Sequence, residues 1–247
     1  MDKTRIEIRW LSFEAGAPLD PCLLGALDTE ERMQAGQFHF AEDRSTYIVA
    51  HVLKRATLQS VYPLPAADWL FERSPHGKPF ISQNQAASRL SFNLSHTRGF
   101  VAVAVAHGIM VGIDVERIQI GKLDQELADR LFASTEADAT RALPQPAQTD
   151  ALYAYWTLKE AFIKAVGLGL SLPLDAFAFT LEPLSICFDE SIREDANKWR
   201  FYSSQPTPHI RMGLAAKYED PNKVKLNLNI QKVTIEDLAR AVRPRAV

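Results

Sequence analysis

The chain has 247 residues, enough for one large domain or two small ones, and its 47% hydrophobic and 23% charged residues are those of a folded globular protein. A net charge of −2 and a pI near 6.3 exclude the broad basic surface needed for non-specific binding to nucleic acid or an anionic membrane. The two cysteines, Cys22 and Cys187, form neither a disulfide framework nor a zinc-site spacing, and FVAVAVAHGIMVGIDV, the most apolar stretch, is too short to span a bilayer, so a cytoplasmic protein with reduced thiols is expected.

Residues 4–13 alternate polar and apolar side chains, the pattern of a half-buried strand and not of a signal peptide. In DTEERMQ, residues 28–34, Asp28 stands three before Glu31, a capping box that opens a helix. A second helix is predicted over 41–60, where Val49, Val52, Leu53 and Ala56 fall at i, i+3, i+4 and i+7. SPHGKPF breaks that pattern as a loop. RLSFNLSHT and FVAVAVA then read as two strands of a hairpin turning at TRG, and VGIDVERI as a further strand. Helices are expected over 122–141 and 150–166, the second closed by Gly167. Residues 174–233 return to strand-like text in FAFTL, KWRFY, IRMGLAA and KVKLNLNI, and the tail ARAVRPRAV is expected to fray. Strands and helices thus recur in both halves, and FVAVAVA has a short echo in IRMGLAA. The fold class expected is α+β, as two similar halves dividing into residues 1–109 and 110–247.

The apolar run VGIDVERI carries two carboxylates, Asp114 and Glu116, two apart and so on one face of a strand. Like charges held side by side need compensation or water. In YAYWTLKEAFIKAVG, Trp156, Glu160 and Lys164 are four apart and share a helix face. Taken alone, Glu160 and Lys164 are an ordinary surface pair. Brought together with Asp114 and Glu116, Glu160 would complete the all-oxygen environment that Mg²⁺ prefers, with Lys159 or Lys164 beside substrate phosphates.

The ordered constellation carries more than any single element. V-G-I-D-V-E followed some forty residues on by W-T-L-K-E-A-F-I-K resembles the 4′-phosphopantetheinyl transferases, in particular their large single-chain class. Gly77-Lys78-Pro79 is similar to that family's G-K-P loop, Phe92-Asn93-Leu94-Ser95-His96 to its F-N-x-S-H element, and the similarity extends from Glu42-Asp43 through residues 167–175. One departure stands out: many relatives place an arginine in the helix after E-D, where this chain has Thr46, with Arg44 a possible substitute.

The resemblance implies transfer of the phosphopantetheine arm of coenzyme A to a serine of an acyl or peptidyl carrier protein, with 3′,5′-ADP released and Mg²⁺ required. It implies a pseudo-two-fold between the two halves, a cleft holding the active site, and a monomer. By resemblance Asp114, Glu116 and Glu160 are the Mg²⁺ ligands, and Lys164 stabilises the leaving 3′,5′-ADP. Lys78, Ser95 and His96 contact coenzyme A, with Arg44, Arg55 and Lys159 as further candidates. The base that takes the serine proton is Glu160 or Glu136, the latter in FASTE, which resembles a family F-x-x-x-E motif. Lys122, Arg130, Leu131 and Phe132 are candidate carrier contacts. Two alternatives remain at this level: a non-catalytic coenzyme A or carrier-binding module of the same family, and a hydrolase using Asp114 and Glu116 as acid and base, whose same-strand placement suits a shared metal better.

Overall fold

The structure, a computed structural model, describes residues 5–220 and 225–243, apart from the side chain of Leu170. Residue 4 and residues 223–224 of the expected strands, and 244–247 of the expected frayed tail, lie outside the described residues.

The alternating N-terminal run forms β1 (Arg5–Ser12). Asp20 caps the short α1 (Pro21–Gly25), and the Asp28–Glu31 box opens α2 (Thr29–Gln37) with both reciprocal bonds made. α3 (Ala41–Val61) buries the predicted stripe of Val49, Val52, Leu53 and Ala56. The Gly77 loop joins two short strands, β2 (Phe71–Arg73) and β3 (Pro79–Ile81). β4 (Leu90–Thr97) and β5 (Phe100–His107) are the predicted hairpin, and Gly99, at φ 73°, supplies the left-handed residue its tight turn needs. β6 (Met110–Arg117) holds the carboxylate-bearing run.

Where one helix was expected over 122–141 there are two, α4 (Gln125–Leu131) and α5 (Ser134–Arg141). The chain is extended at Phe132 and Ala133, which lets Phe132 enter the core while Glu136 turns back to accept from the Ala133 amide. A side-chain opportunity thus overrides helix continuity. α6 (Ala147–Val166) ends as predicted at Gly167, left-handed at φ 80°, whose N–H closes on the Ile163 carbonyl. β7 (Phe177–Leu181), β8 (Leu184–Phe188), β9 (Trp199–Thr207), β10 (Ile210–Lys217), β11 (Asn227–Lys232) and α7 (Ile235–Val242) complete the mixed α/β fold.

The chain forms two compact units. The first comprises residues 1–75, 79–108 and 227–247. Its sheet runs β11-β1-β5-β4, and α3 lies on the face presenting Val101, Val103 and Val105. Residues 227–243, placed with the C-terminal half by the expected division, belong here. β11 pairs in parallel with β1, and Leu238 and Ala239 of α7 pack into this core.

The second unit comprises residues 76–78 and 109–226. Its sheet runs β6-β10-β9, with α6 laid across β6 and β10. Gly112 and Gly213 explain how closely the helix approaches. A methyl group on Gly112 would overlap the Ala161 carbonyl and the Ala165 amide, and one on Gly213 the Thr157 carbonyl. The core beneath is aromatic, with Phe162 packed 4.7–5.4 Å from Phe177, Phe188 and Trp199.

Candidate active site

Strand alternation decides which residues of β6 reach α6. Val111, Ile113 and Val115 point one way and are buried; Gly112, Asp114 and Glu116 point the other way, toward the helix. On α6, Trp156, Glu160 and Lys164 present the matching face at four-residue spacing. The Lys164 ammonium lies 2.5 Å from Asp114 Oδ1. Asp114 is buried, and Trp156 lies beside Glu116. Four residues that sequence placed on two separate segments therefore meet.

The electrostatics are those of crowded carboxylates. Burial, and next the charge of Asp114, pushes the Glu160 carboxyl up, with Lys164 opposing. Glu116 is raised by the same two causes in the same order, against Lys122, Lys164 and Trp156. Asp114 is thus the shared neighbour of both glutamates. The donor set fits a hard divalent cation in kind: three carboxylates, one buried and two half-buried, with no sulfur among them, and all gain from added positive charge. Among the described residues, however, no three such side chains close around a point as bound metal ligands do, and Lys164 is the cation nearest Asp114.

Other predicted residues fall in different surroundings. Lys78, in the second unit, donates to the Ala165 carbonyl at 2.6 Å and the Val111 carbonyl at 3.4 Å, and its stem lies over Gly167. It therefore caps the C-terminus of α6, and burial lowers its ammonium to about 8. Ser95 is buried and His96 exposed near the end of β4, and Arg44 is exposed on the first turn of α3, all three in the first unit. Lys122 and Arg130 are exposed, whereas Phe132, a candidate carrier contact, is core, packed against Tyr155 and Trp156.

Three expectations are corrected. Arg55, expected to contact coenzyme A, has no exposed surface. Its guanidinium donates to Glu31, Asp28 and the carbonyls of Ala66 and Trp69. Lys159, the other expected phosphate contact on α6, is equally enclosed and donates to Glu136 and the carbonyls of Leu174 and Phe177. Glu136, the alternative base, accepts from Lys159 and the amides of Ala133 and Phe179 with no surface of its own. A serine on another protein cannot reach it.

Sequence reading also missed a polar cluster in the first unit. Glu31 accepts from Lys54, Arg55 and His51, and beside it opens a cavity of about 540 Å³ lined by Tyr47, His51, Lys54, Arg73 and Asn93 among others. The signal was present: Lys54 and Arg55 interrupt the apolar face of α3 one helical turn beyond His51. Such a break in a buried stripe calls for a buried acid.

Residues 110–216 match the 4′-phosphopantetheinyl transferase superfamily, and residues 21–108 match the 4′-phosphopantetheinyl transferase N-terminal domain. A Bacillus subtilis 4′-phosphopantetheinyl transferase is 34% identical over 160 residues, covering 65% of this chain and 69% of that one. The 4′-phosphopantetheinyl transferase HetI of Nostoc sp. is 30% identical over 161 residues, covering 65% and 68%. The L-aminoadipate-semialdehyde dehydrogenase-phosphopantetheinyl transferase of Rattus norvegicus is 25% identical over 214 residues, covering 80% and 69%. The glycines that seat α6, the carboxylates of β6 and the Trp156–Lys164 face all lie within the stretch matched to the superfamily. With the N-terminal match and relatives aligned over two thirds of their length, they place this chain in the 4′-phosphopantetheinyl transferase family.

Proposed function

We propose that this protein transfers 4′-phosphopantetheine from coenzyme A to a serine of an apo acyl or peptidyl carrier protein. The observation that carries the reading is the meeting of Asp114, Glu116, Glu160 and Lys164 on facing sides of β6 and α6. In the reaction, the serine oxygen forms a bond to the phosphorus that bears the pantetheine arm. The bond from that phosphorus to the bridging oxygen breaks, and 3′,5′-ADP leaves with the electron pair. Glu160 is the carboxylate placed to take the serine proton. Lys164, once drawn from Asp114 toward the phosphates, offsets charge on the departing oxygen.

Asp114, Glu116 and Glu160 are the residues that would hold Mg²⁺, which when bound supplies charge neutralisation of the pyrophosphate. For the nucleotide end, exposed His96 and Arg44 of the first unit are the candidate contacts. The reading goes with a monomeric, cytoplasmic enzyme.

The test is intact-mass spectrometry of apo carrier proteins incubated with this protein, coenzyme A and Mg²⁺. One added phosphopantetheine on the carrier serine is expected, absent with EDTA. Asp114→Asn is expected to slow the transfer by roughly 10²-fold or more with the fold retained, as loss of a group stabilising transition-state charge does. Transfer by that variant at the full rate would remove Asp114 from the reaction, and no mass gain on any carrier would leave the chain a binding module.

A further inference from the structure

Beside its active-site face, α6 carries the most enclosed ion pair among the described residues. Lys159 Nζ lies 2.7 Å from Glu136 Oε2, and neither side chain has any exposed surface. Beyond that contact, the hydrogen bonds of the pair go to backbone. The Ala133 amide donates to Glu136 Oε2 at 3.1 Å and the Phe179 amide to Oε1 at 2.7 Å. Lys159 donates to the Leu174 carbonyl at 2.7 Å and the Phe177 carbonyl at 2.6 Å, and sits 4.3 Å from the Phe177 ring centroid. One side chain of α6 is thereby tied to the start of α5, the turn before β7 and β7 itself.

Such a tie answers a mechanical need. α6 rests on β6 and β10 where those strands carry glycine, so backbone approaches backbone with no side chain interposed. That contact sets a short distance; the roll of the helix is held by its other faces, by Phe162 against Phe177, Phe188 and Trp199 and by the Lys159–Glu136 pair, of which the pair is the directional one. Rotation matters because Glu160 directly follows Lys159, about 100° further round the helix. A roll of α6 would carry Trp156, Glu160 and Lys164 together away from Asp114 and Glu116. A buried ion pair is a weak source of net stability compared with well-packed apolar side chains.

We propose that Glu136 and Lys159 are positioning residues: their buried pair fixes the rotation of α6 and so sets Glu160 and Lys164 opposite Asp114 and Glu116. This rests on the reading of Asp114, Glu116 and Glu160 as a cation-binding set. Neither residue of the pair touches substrate.

The test measures ion binding rather than turnover. The protein with coenzyme A is titrated with Mn²⁺ and the free ion followed by electron paramagnetic resonance, with a thermal melt on each sample. Glu136→Leu combined with Lys159→Met keeps the volume apolar and removes both charges, so the core is expected to fold. Its Mn²⁺ affinity is expected to fall about tenfold, the scale on which outer-shell partners tune a metal site, while its melting temperature stays near the parent's. Parent-like Mn²⁺ affinity in the folded double variant would overturn the proposal and reduce the pair to packing. Should the double variant fail to fold, Glu136→Asp, which keeps the charge on a shorter arm, replaces it: weakened Mn²⁺ binding supports positioning and unchanged binding overturns it. The parent and Asp114→Asn are titrated alongside. If the parent binds no Mn²⁺, or Asp114→Asn binds as the parent does, the cation-binding reading itself fails and the positioning proposal falls with it.

Discussion

Arg55 and Glu31 show how a side chain's neighbours overrule its sequence appearance. Arg55 looks like a phosphate contact on an exposed helix, yet its donors all end on protein atoms. Glu31 is the acid that makes this possible. Burial pushes its carboxyl up, but the bond from His51 and the charges of Lys54 and Arg55 outweigh burial and hold it far below the ordinary glutamate value of 4.5. A carboxyl whose folded pKa is depressed adds stability that is present above its unfolded value and lost as pH falls. Glu31→Gln removes that contribution and leaves Lys54 and Arg55 buried without their shared acid, at an expected cost of ~3–5 kcal/mol. In urea unfolding over a pH series, the parent should lose stability as pH drops below about 4.5 more steeply than the variant does. Equal acid limbs in the two would show that Glu31 is not held ionised by its partners.

Glycine sets the geometry of the second unit at the scale of whole elements. Strand text with a glycine at position 112 reads as a weakness in β6, since glycine packs nothing. Against α6 it is the opening that lets the helix lie on the strand, so that Asp114 and Glu116, farther along the same face, come level with Glu160 and Lys164. Gly112→Ala would press a methyl group onto the backbone at Ala161 and Ala165, and the helix must lift. The expected loss is ~1–3 kcal/mol in chemical denaturation, the range for overpacking, with a larger proportional loss of transfer in the carrier-modification assay. Unchanged stability and transfer would mean that α6 does not need that closeness. The helices themselves were legible because capping box, stripe and terminal glycine are local signals, as Asp28, Val49–Val52–Leu53–Ala56 and Gly167 show. The break at Phe132 was not, because it depends on a core pocket for one ring and on a distant lysine for Glu136.

Over the whole molecule, chain order and unit membership part company. The last described elements return to the first unit: β11 beside β1, and α7 against α3, where the Gln59 side chain donates to the Ala241 carbonyl. Leu238 is fully enclosed in that core. Leu238→Ala is therefore expected to cost ~2–4 kcal/mol, as large-to-small core changes do, and to weaken amide-exchange protection in β1 and β11, far from it in sequence. Full protection there would separate α7 from the stability of this unit.

Sequence alone determined what rests on short-range periodicity and side-chain chemistry: the hairpin, the long helices, the shared face of Asp114 and Glu116, and the family to which the ordered motifs belong. These are fixed by φ/ψ preferences and by spacings of two and four residues that hold wherever a strand or helix forms. Only the tertiary structure decided which charged residues remain at the surface. Lys159 and Lys164 are five residues apart on one helix, yet one is sealed against Glu136 while the other meets Asp114 at the partly exposed face. Burial is a property of what packs around a residue, and here those neighbours come from strands and helices remote in the chain, so the cost of hiding a charge is not set until they are in place.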